Sequence, residues 1–217
     1  MDKHDSSNQL ILYHGSEHIV NPPVFGKGEA ANDYGRGFYL TEYPELASEW
    51  ACPYNDKDGY VNKYEFSLVG MNVLDLDTEP FEHWVSLLVQ NRDNKMGTTA
   101  KARMYKFVET YPFTTSGYDV IKGWRANDAY YAFIRSFFNV ELSLESLKKA
   151  MYFGEYGVQY CLISKQSYKN IKYISCYPVK ATEYYLKRIK RDNDAKKLYI
   201  EMKDKTTGTL ILDIVGR

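Results

Sequence analysis

Apolar residues come in short runs along the first third of the chain and at helical spacing through the middle. Leu10 to His14 is a brief apolar run and predicts a strand. Asn21 to Gly37 holds Pro22, Pro23, Gly26, Gly28, Gly35 and Gly37, with Asn32-Asp33 between them, and predicts a loop. Phe38 to Thr41 predicts a strand fragment, and Pro44 suits the first turn of a helix carrying Leu46, Ala47 and Trp50. Val61 to Val69 alternates and predicts a strand, with Asn72 to Leu76 continuing the sheet. Thr78 to Asn91 sets Phe81, Trp84, Val85 and Leu88 on one face. Thr98 to Tyr111 does the same with Met104, Phe107 and Val108, so the pair predicts a helical insert. Tyr118 to Ile121 predicts a short strand. Asn127 and Ser143 suit the N-caps of two helices, AYYAFIRSFF and LESLKKAMYF. Gly157 to Ser164 and Lys172 to Tyr177 predict two further strands.

These elements predict one domain over residues 10–178, preceded by a disordered lead-in over 1–9. A basic C-terminal extension over 179–217 follows, ending in a hairpin around Thr206-Thr207-Gly208. Strands and helices are interspersed without a regular βαβ rhythm, which favours α+β over a doubly wound sheet. The Gly-Arg-Gly at 35–37 leads into a strand rather than a helix, so a G-x-G-x-x-G dinucleotide fingerprint is not supported.

Composition narrows the class. The 217 residues suffice for one sizeable core, and 28 basic residues balance 28 acidic ones. Charge alone therefore makes no case for wholesale nucleic-acid or membrane binding. The odd set of Cys52, Cys161 and Cys176, without a C-x-x-C pair, argues against a disulfide scaffold or a four-ligand zinc site, and no metal is expected. The polar start lacks a signal-peptide core and no apolar run reaches membrane-spanning length, so a reducing, cytoplasmic setting is expected. The 21 tyrosines suit half-wet packing and, in a cleft, the stacking of flat ligands.

Chemistry concentrates in two stretches, LYHGS and YGRGFYLTEYPELASEWA. His14 at a strand end offers an imidazole beside the pliant backbone of Gly15. Tyr39 follows a glycine-flanked turn, and Trp50 lies 11 residues on. Two such aromatics can wall a slot for a planar ring, while a backbone N–H and C=O hold a carboxamide. That describes a nicotinamide pocket. Arg36, between two glycines, is either a bidentate partner for a diphosphate or an exposed turn residue.

LYHGS, YGRGFYLTEYPELASEW and QYCLISKQSYKNIKYI resemble the three signature blocks of the diphtheria-toxin and poly(ADP-ribose) polymerase type of ADP-ribosyltransferase. The nearest resemblance is to a bacterial family of unknown function in that superfamily. That family shares the H-G-S block, a Trp…Asn-Arg segment (Trp84…Asn91-Arg92) and a D-x-x-x-G-x-x-x-x-D segment (Asp119, Gly123, Asp128). The resemblance implies a split antiparallel sheet and NAD as co-substrate. It places His14 on the adenosine ribose, Gly15 on the nicotinamide amide, and Tyr39 and Trp50 around the nicotinamide ring. Ser16, Arg36, Gly37 and Ser48 complete the implied cofactor-binding set. It further implies a mono-ADP-ribosyltransferase acting on a protein or nucleic acid, in the manner of a toxin or defence effector with an antitoxin partner.

One position departs from the pattern. Where the transferases carry a glutamate that steadies the oxocarbenium-like transition state, this chain has Gln159. An amide oxygen accepts a hydroxyl's hydrogen bond but carries no full charge. Losing one well-placed electrostatic contact costs about 3–4 kcal/mol. Three readings stay open: a transferase working with His14, Tyr39 and Gln159; one in which Glu155 or Glu42 substitutes; and an NAD or ADP-ribose binding module without turnover. Asp119 and Asp128 are acceptor-side candidates or, for Asp128, a helix-start residue. The Lys187–Lys197 run reads as a solvated face or a partner contact.

Overall fold

Seven strands hydrogen-bond into one sheet in the computed structural model, which describes residues 9–92, 96–126, 128–152, 157–202 and 207–216. In chain order they are β1 (Gln9–Ser16), β2 (Phe38–Thr41), β3 (Gly59–Ser67), β4 (Val73–Asp75), β5 (Val120–Trp124), β6 (Val158–Leu162) and β7 (Ile171–Val179). Across the sheet they run β4-β5-β6-β2-β1-β3-β7, and every neighbouring pair is antiparallel except β4 with β5. The helices are α1 (Pro44–Ala51), α2 (Phe81–Asn91), α3 (Thr98–Thr110), α4 (Asp128–Phe138), α5 (Leu144–Tyr152), α6 (Lys165–Lys169), α7 (Ala181–Met202) and α8 (Ile211–Val215). The class is α+β, with a mostly antiparallel open sheet. No helix among the described residues is long and apolar enough to cross a membrane.

The sheet has one weak seam. β1 and β3 are matched over eight residue pairs, and β2 and β6 over four. β1 and β2 share a single pair, Tyr13 opposite Thr41. Beyond it the ladder is taken over by a side chain: His14 Nδ1 lies 2.8 Å from the Tyr39 carbonyl oxygen. The expected split is thus a one-pair seam in a continuous sheet, not a division into two sheets.

Three apolar clusters flank the sheet. The largest packs Trp84, Leu88, Phe107, Phe133 and Phe137 from the helical layer against Ile121 and Cys161 of the sheet. A second gathers Leu12, Leu40, Tyr64, Phe66 and Tyr160. A third seats α1, through Ala47 and Ala51, on Val61 and Val179. Here β1 needs a glycine, because a Cβ on Gly15 would stand 1.7 Å from the Ala47 carbonyl oxygen. The close approach of α1 carries Trp50 to the seam.

The C-terminal hairpin is not formed. The segment LYIEM completes α7, and ILDIV forms α8, while residues 203–206 lie outside the described ones. A strand would align Leu198, Ile200 and Met202 on one face. Instead Ala195, Leu198 and Met202 are buried at helical spacing and Ile200 is 75% exposed, so contact with the helical layer selects the 3–4 period. Ile211 joins the same core, so the C-terminal segment is part of the helical layer. Gln9, expected in the lead-in, opens β1. Ser143 caps α5 by accepting from the Ser146 N–H at 3.2 Å. Asn127, expected to cap α4, lies outside the described residues, as does the side chain of Asp128.

Gly15→Ala is expected to destabilise the fold by about 1–3 kcal/mol, the range for overpacking a filled contact. Urea unfolding checks this, and an unchanged midpoint would mean that α1 does not lie on β1 as described.

Candidate functional site

A cavity of about 730 Å³ opens beside the seam, within the range of small-molecule sites. β1 supplies His14, β2 supplies Phe38 and Tyr39, and β6 supplies Gln159. The loop before β2 contributes Asp33 and Gly37, α1 contributes Glu49 and Trp50, and the turn after β5 contributes Arg125 and Ala126. Arg188, Arg191 and Asp192 enter from α7.

The His14 ring is half-buried against Phe38, with centroids 4.4 Å apart. Burial lowers its pKa from 6.5 to about 4, against the opposing pull of the Tyr39 carbonyl. The ring is therefore neutral at pH 7. Since a carbonyl only accepts, Nδ1 must be the protonated nitrogen, and Nε2 presents a lone pair. The Tyr39 hydroxyl donates to the Gly35 carbonyl at 2.7 Å and accepts from the Tyr34 N–H at 3.0 Å. It ties the preceding loop to β2, while its ring stacks on Tyr34 at 6.3 Å and borders the cavity.

Gln159 is 3% exposed, and its Nε2 donates to Asp33 Oδ2 at 2.9 Å. The Trp124 carbonyl lies 3.5 Å from the same nitrogen. These acceptors fix the amide's orientation. No described residue donates to Gln159 Oε1, and the residue lines the cavity.

Asp33 is the centre of this polar cluster. It is 7% exposed and accepts from Arg92 at 3.0 Å, the Ala126 N–H at 2.8 Å and Gln159. Burial raises its pKa on balance, against the partial opposing pull of Arg92, the Ala126 N–H, Gln159 and Arg125. Each of these partners is a donor, which is the environment an ionised carboxylate requires.

The Trp…Asn-Arg segment has a structural explanation. On α2, Trp84 donates its indole N–H to the Tyr34 hydroxyl at 3.3 Å. Asn91 fills the space beside Gly35, whose φ of 78° suits glycine. Arg92, just after α2, holds Asp33 and donates to the Ala126 carbonyl. The segment thus grips three consecutive loop residues, 33 to 35.

Trp50 borders the cavity under the Arg125 guanidinium, 5.0 Å from its ring. Its indole N–H is the one buried side-chain polar atom without a hydrogen-bond partner among the described residues. Such an atom costs about 1–3 kcal/mol.

Five expected site residues therefore meet at the cavity: His14, Gly37, Tyr39, Trp50 and Gln159. Gly15, Ser16, Arg36 and Ser48 do not line it. Gly15 is committed to the α1 contact. Ser16 donates to the His18 carbonyl at 2.5 Å, Arg36 to the Gly26 carbonyl at 2.9 Å, and Ser48 to the Pro44 carbonyl at 2.8 Å. Glu42 is exposed and off the cavity, 3.4 Å from the Tyr160 hydroxyl, and Glu155 lies outside the described residues. Asp119 is a structural tie: it accepts from the Asn72 N–H at 2.9 Å and from Ser164 at 2.5 Å, contacts that lower its pKa.

Sequence reasoning missed Asp33, Asn62, Arg125, Arg188 and Arg191 as individual cavity residues. Asp33 sits in a loop where Asn-Asp reads as turn chemistry. Buried Asn62 accepts from the Val20 N–H at 2.9 Å and donates to the His14, Ser16 and His18 region, pinning the loop beside the cavity. Arg188 and Arg191 carried one readable signal, their i, i+3 spacing on a helix face.

A family model described as "Protein of unknown function (DUF3990)" matches residues 10–173. No curated protein and no solved structure matches the chain.

A histidine less basic when folded takes up a proton on unfolding, so its stabilising contribution is complete above 6.5 and drains away as pH falls toward about 4. The urea midpoint of wild type is expected to drop through that window relative to His14→Gln. Parallel profiles for the two proteins would show that His14 is not held neutral.

Proposed function

The chain belongs to the DUF3990 family, and from that premise and the geometry of the cavity we propose that it is an NAD-dependent mono-ADP-ribosyltransferase acting on a macromolecule. The observation that carries this reading is the convergence of His14, Tyr39 and Gln159, from three different strands, on one cavity that Trp50 also walls.

In this reading His14 Nε2 accepts a ribose hydroxyl, and the rings of Tyr39 and Trp50 border the nicotinamide. Gln159 Oε1 accepts a hydroxyl of the nicotinamide ribose. The glycosidic C–N bond breaks, its electron pair leaves with nicotinamide, and positive charge develops on the ribose. The acceptor's nucleophile then bonds to the anomeric carbon and gives up its proton to solvent. The charge that Gln159 lacks comes from Asp33, whose carboxylate bonds the amide nitrogen at 2.9 Å and polarises the amide toward Oε1. Asp33 is thus a positioning and electrostatic residue acting through Gln159, a part assigned to neither Glu42 nor Glu155.

A second reading is favoured by one observation, the neutrality of Gln159: a module that binds NAD or ADP-ribose without turnover. Adenylate-labelled NAD incubated with the protein and a cell lysate, with free nicotinamide followed in parallel, separates the two. A transferase labels a macromolecule and releases nicotinamide, and His14→Ala abolishes both. Asp33→Asn is expected to lower kcat by about two to three decades, the usual cost of one preorganised electrostatic contact. Circular dichroism reports whether that variant is folded. Saturable ADP-ribose binding with no nicotinamide release from wild type would establish the module instead. Gln159→Glu offers a further check. It places two carboxylates side by side, so one holds a proton near neutrality and turnover should rise with pH. A flat profile would separate Asp33 from the reacting centre.

A further inference from the structure

The cavity holds more positive charge than its own carboxylates neutralise. Arg92 is engaged by Asp33, and Arg191 is held by Glu49 through bonds of 3.0 and 2.7 Å. Arg125 and Arg188 also line the wall. Among the described residues, neither has a carboxylate within ion-pair distance or a hydrogen bond. The contact found for Arg125 is with the Trp50 ring at 5.0 Å. Both side chains are half-buried. Burial lowers the pKa of Arg125 to about 10, with Arg188 and Arg191 adding to it and the more distant carboxylates of Asp33 and Glu49 opposing it, which leaves the group charged at neutral pH. Guanidinium groups crowded in a partly dry wall repel one another unless an anion bridges them. A planar guanidinium also matches phosphate oxygens bidentately.

We propose that Arg125 and Arg188 form a phosphate subsite in the cavity wall, for the phosphate group of a nucleotide-type ligand. Arg125 follows β5, inside the region shared with the family, whereas Arg188 lies on α7, beyond residue 173 where the family match ends. The C-terminal helix therefore completes the subsite from beyond the matched region. The inference rests on the cavity's charges and not on the transfer reaction, since binding a phosphate requires no bond to nicotinamide to break.

Two sources supply the same chemistry: the diphosphate of a dinucleotide and the backbone phosphates of a single-stranded nucleic acid. Calorimetric titration of the full chain with inorganic pyrophosphate tests the subsite itself. Wild type should bind saturably, and Arg188→Ala should weaken binding by about tenfold or more, the scale of one lost charge-assisted contact. Arg188→Lys should restore part of the loss. Lys190→Ala, the same charge change on an exposed position of α7, should leave binding intact. Melting temperatures of all variants confirm folding. Parallel titrations with ADP-ribose and with a short single-stranded RNA identify the source, because only the ligand whose phosphates sit on the subsite responds to Arg188→Ala. Absence of pyrophosphate binding by wild type would overturn the proposal. Equal losses in Lys190→Ala and Arg188→Ala, or no response of any ligand to Arg188→Ala, would overturn it too.

Discussion

The buried carboxylate of Asp33 is the constraint on which the cavity depends. It receives a guanidinium from the end of α2, a backbone N–H from the turn after β5 and an amide from β6. Elements that are far apart in sequence are thereby tied to one loop. Breaking a buried, hydrogen-bonded charge pair by removing one partner costs about 3–5 kcal/mol, more than a typical single contact. That cost secures the loop against the seam, with Tyr39 anchoring its far end through Gly35 and Tyr34. Residues 33–35 are thus tied to α2, β2 and the turn after β5, the kind of support a cavity wall needs if it is to present fixed dipoles to a ligand.

The same cluster explains why a glutamine is compatible with the site. A glutamate at 159 would face Asp33 at hydrogen-bond distance, and two carboxylates so placed cannot both ionise. A glutamine donates to the carboxylate and keeps its oxygen for the cavity. The carboxyl group thus sits one hydrogen bond behind the amide that lines the cavity. Arg92 bonds the other carboxylate oxygen, and Arg191 is paired with Glu49, so the added positive charge of the wall comes from Arg125 and Arg188.

Much of the fold was legible because local pattern and tertiary environment agreed. The alternation of β3 and the 3–4 spacing of Phe81, Trp84, Val85 and Leu88 describe surfaces that are buried on one side. The C-terminal segment was misread because Leu198, Ile200 and Met202 fit period two as well as a helix fits Ala195, Leu198 and Met202, and only the neighbouring helical layer decides. In the site, the residues carried by strands were readable: His14, Tyr39 and Gln159 sit at strand positions that a sequence motif can mark. Asp33 and Arg188 were not, since Asp33 meets Gln159 across 126 residues of chain, and Arg188 lies in a basic run that reads equally as a solvated face or a partner contact. Gly15 was read as giving a ligand access to backbone, whereas its missing side chain makes room for α1.

Strands β1, β2 and β6 and helix α7 contribute to one cavity, yet only the strands fall within the region common to the family. Substitutions on one face of α7 can alter what is admitted without disturbing the seam, the histidine tautomer or the Asp33 cluster. The matched region 10–173 thus carries the strands of the cavity but not the whole of its wall, and a protein cut at residue 173 would lose Arg188, Arg191 and Asp192 from it.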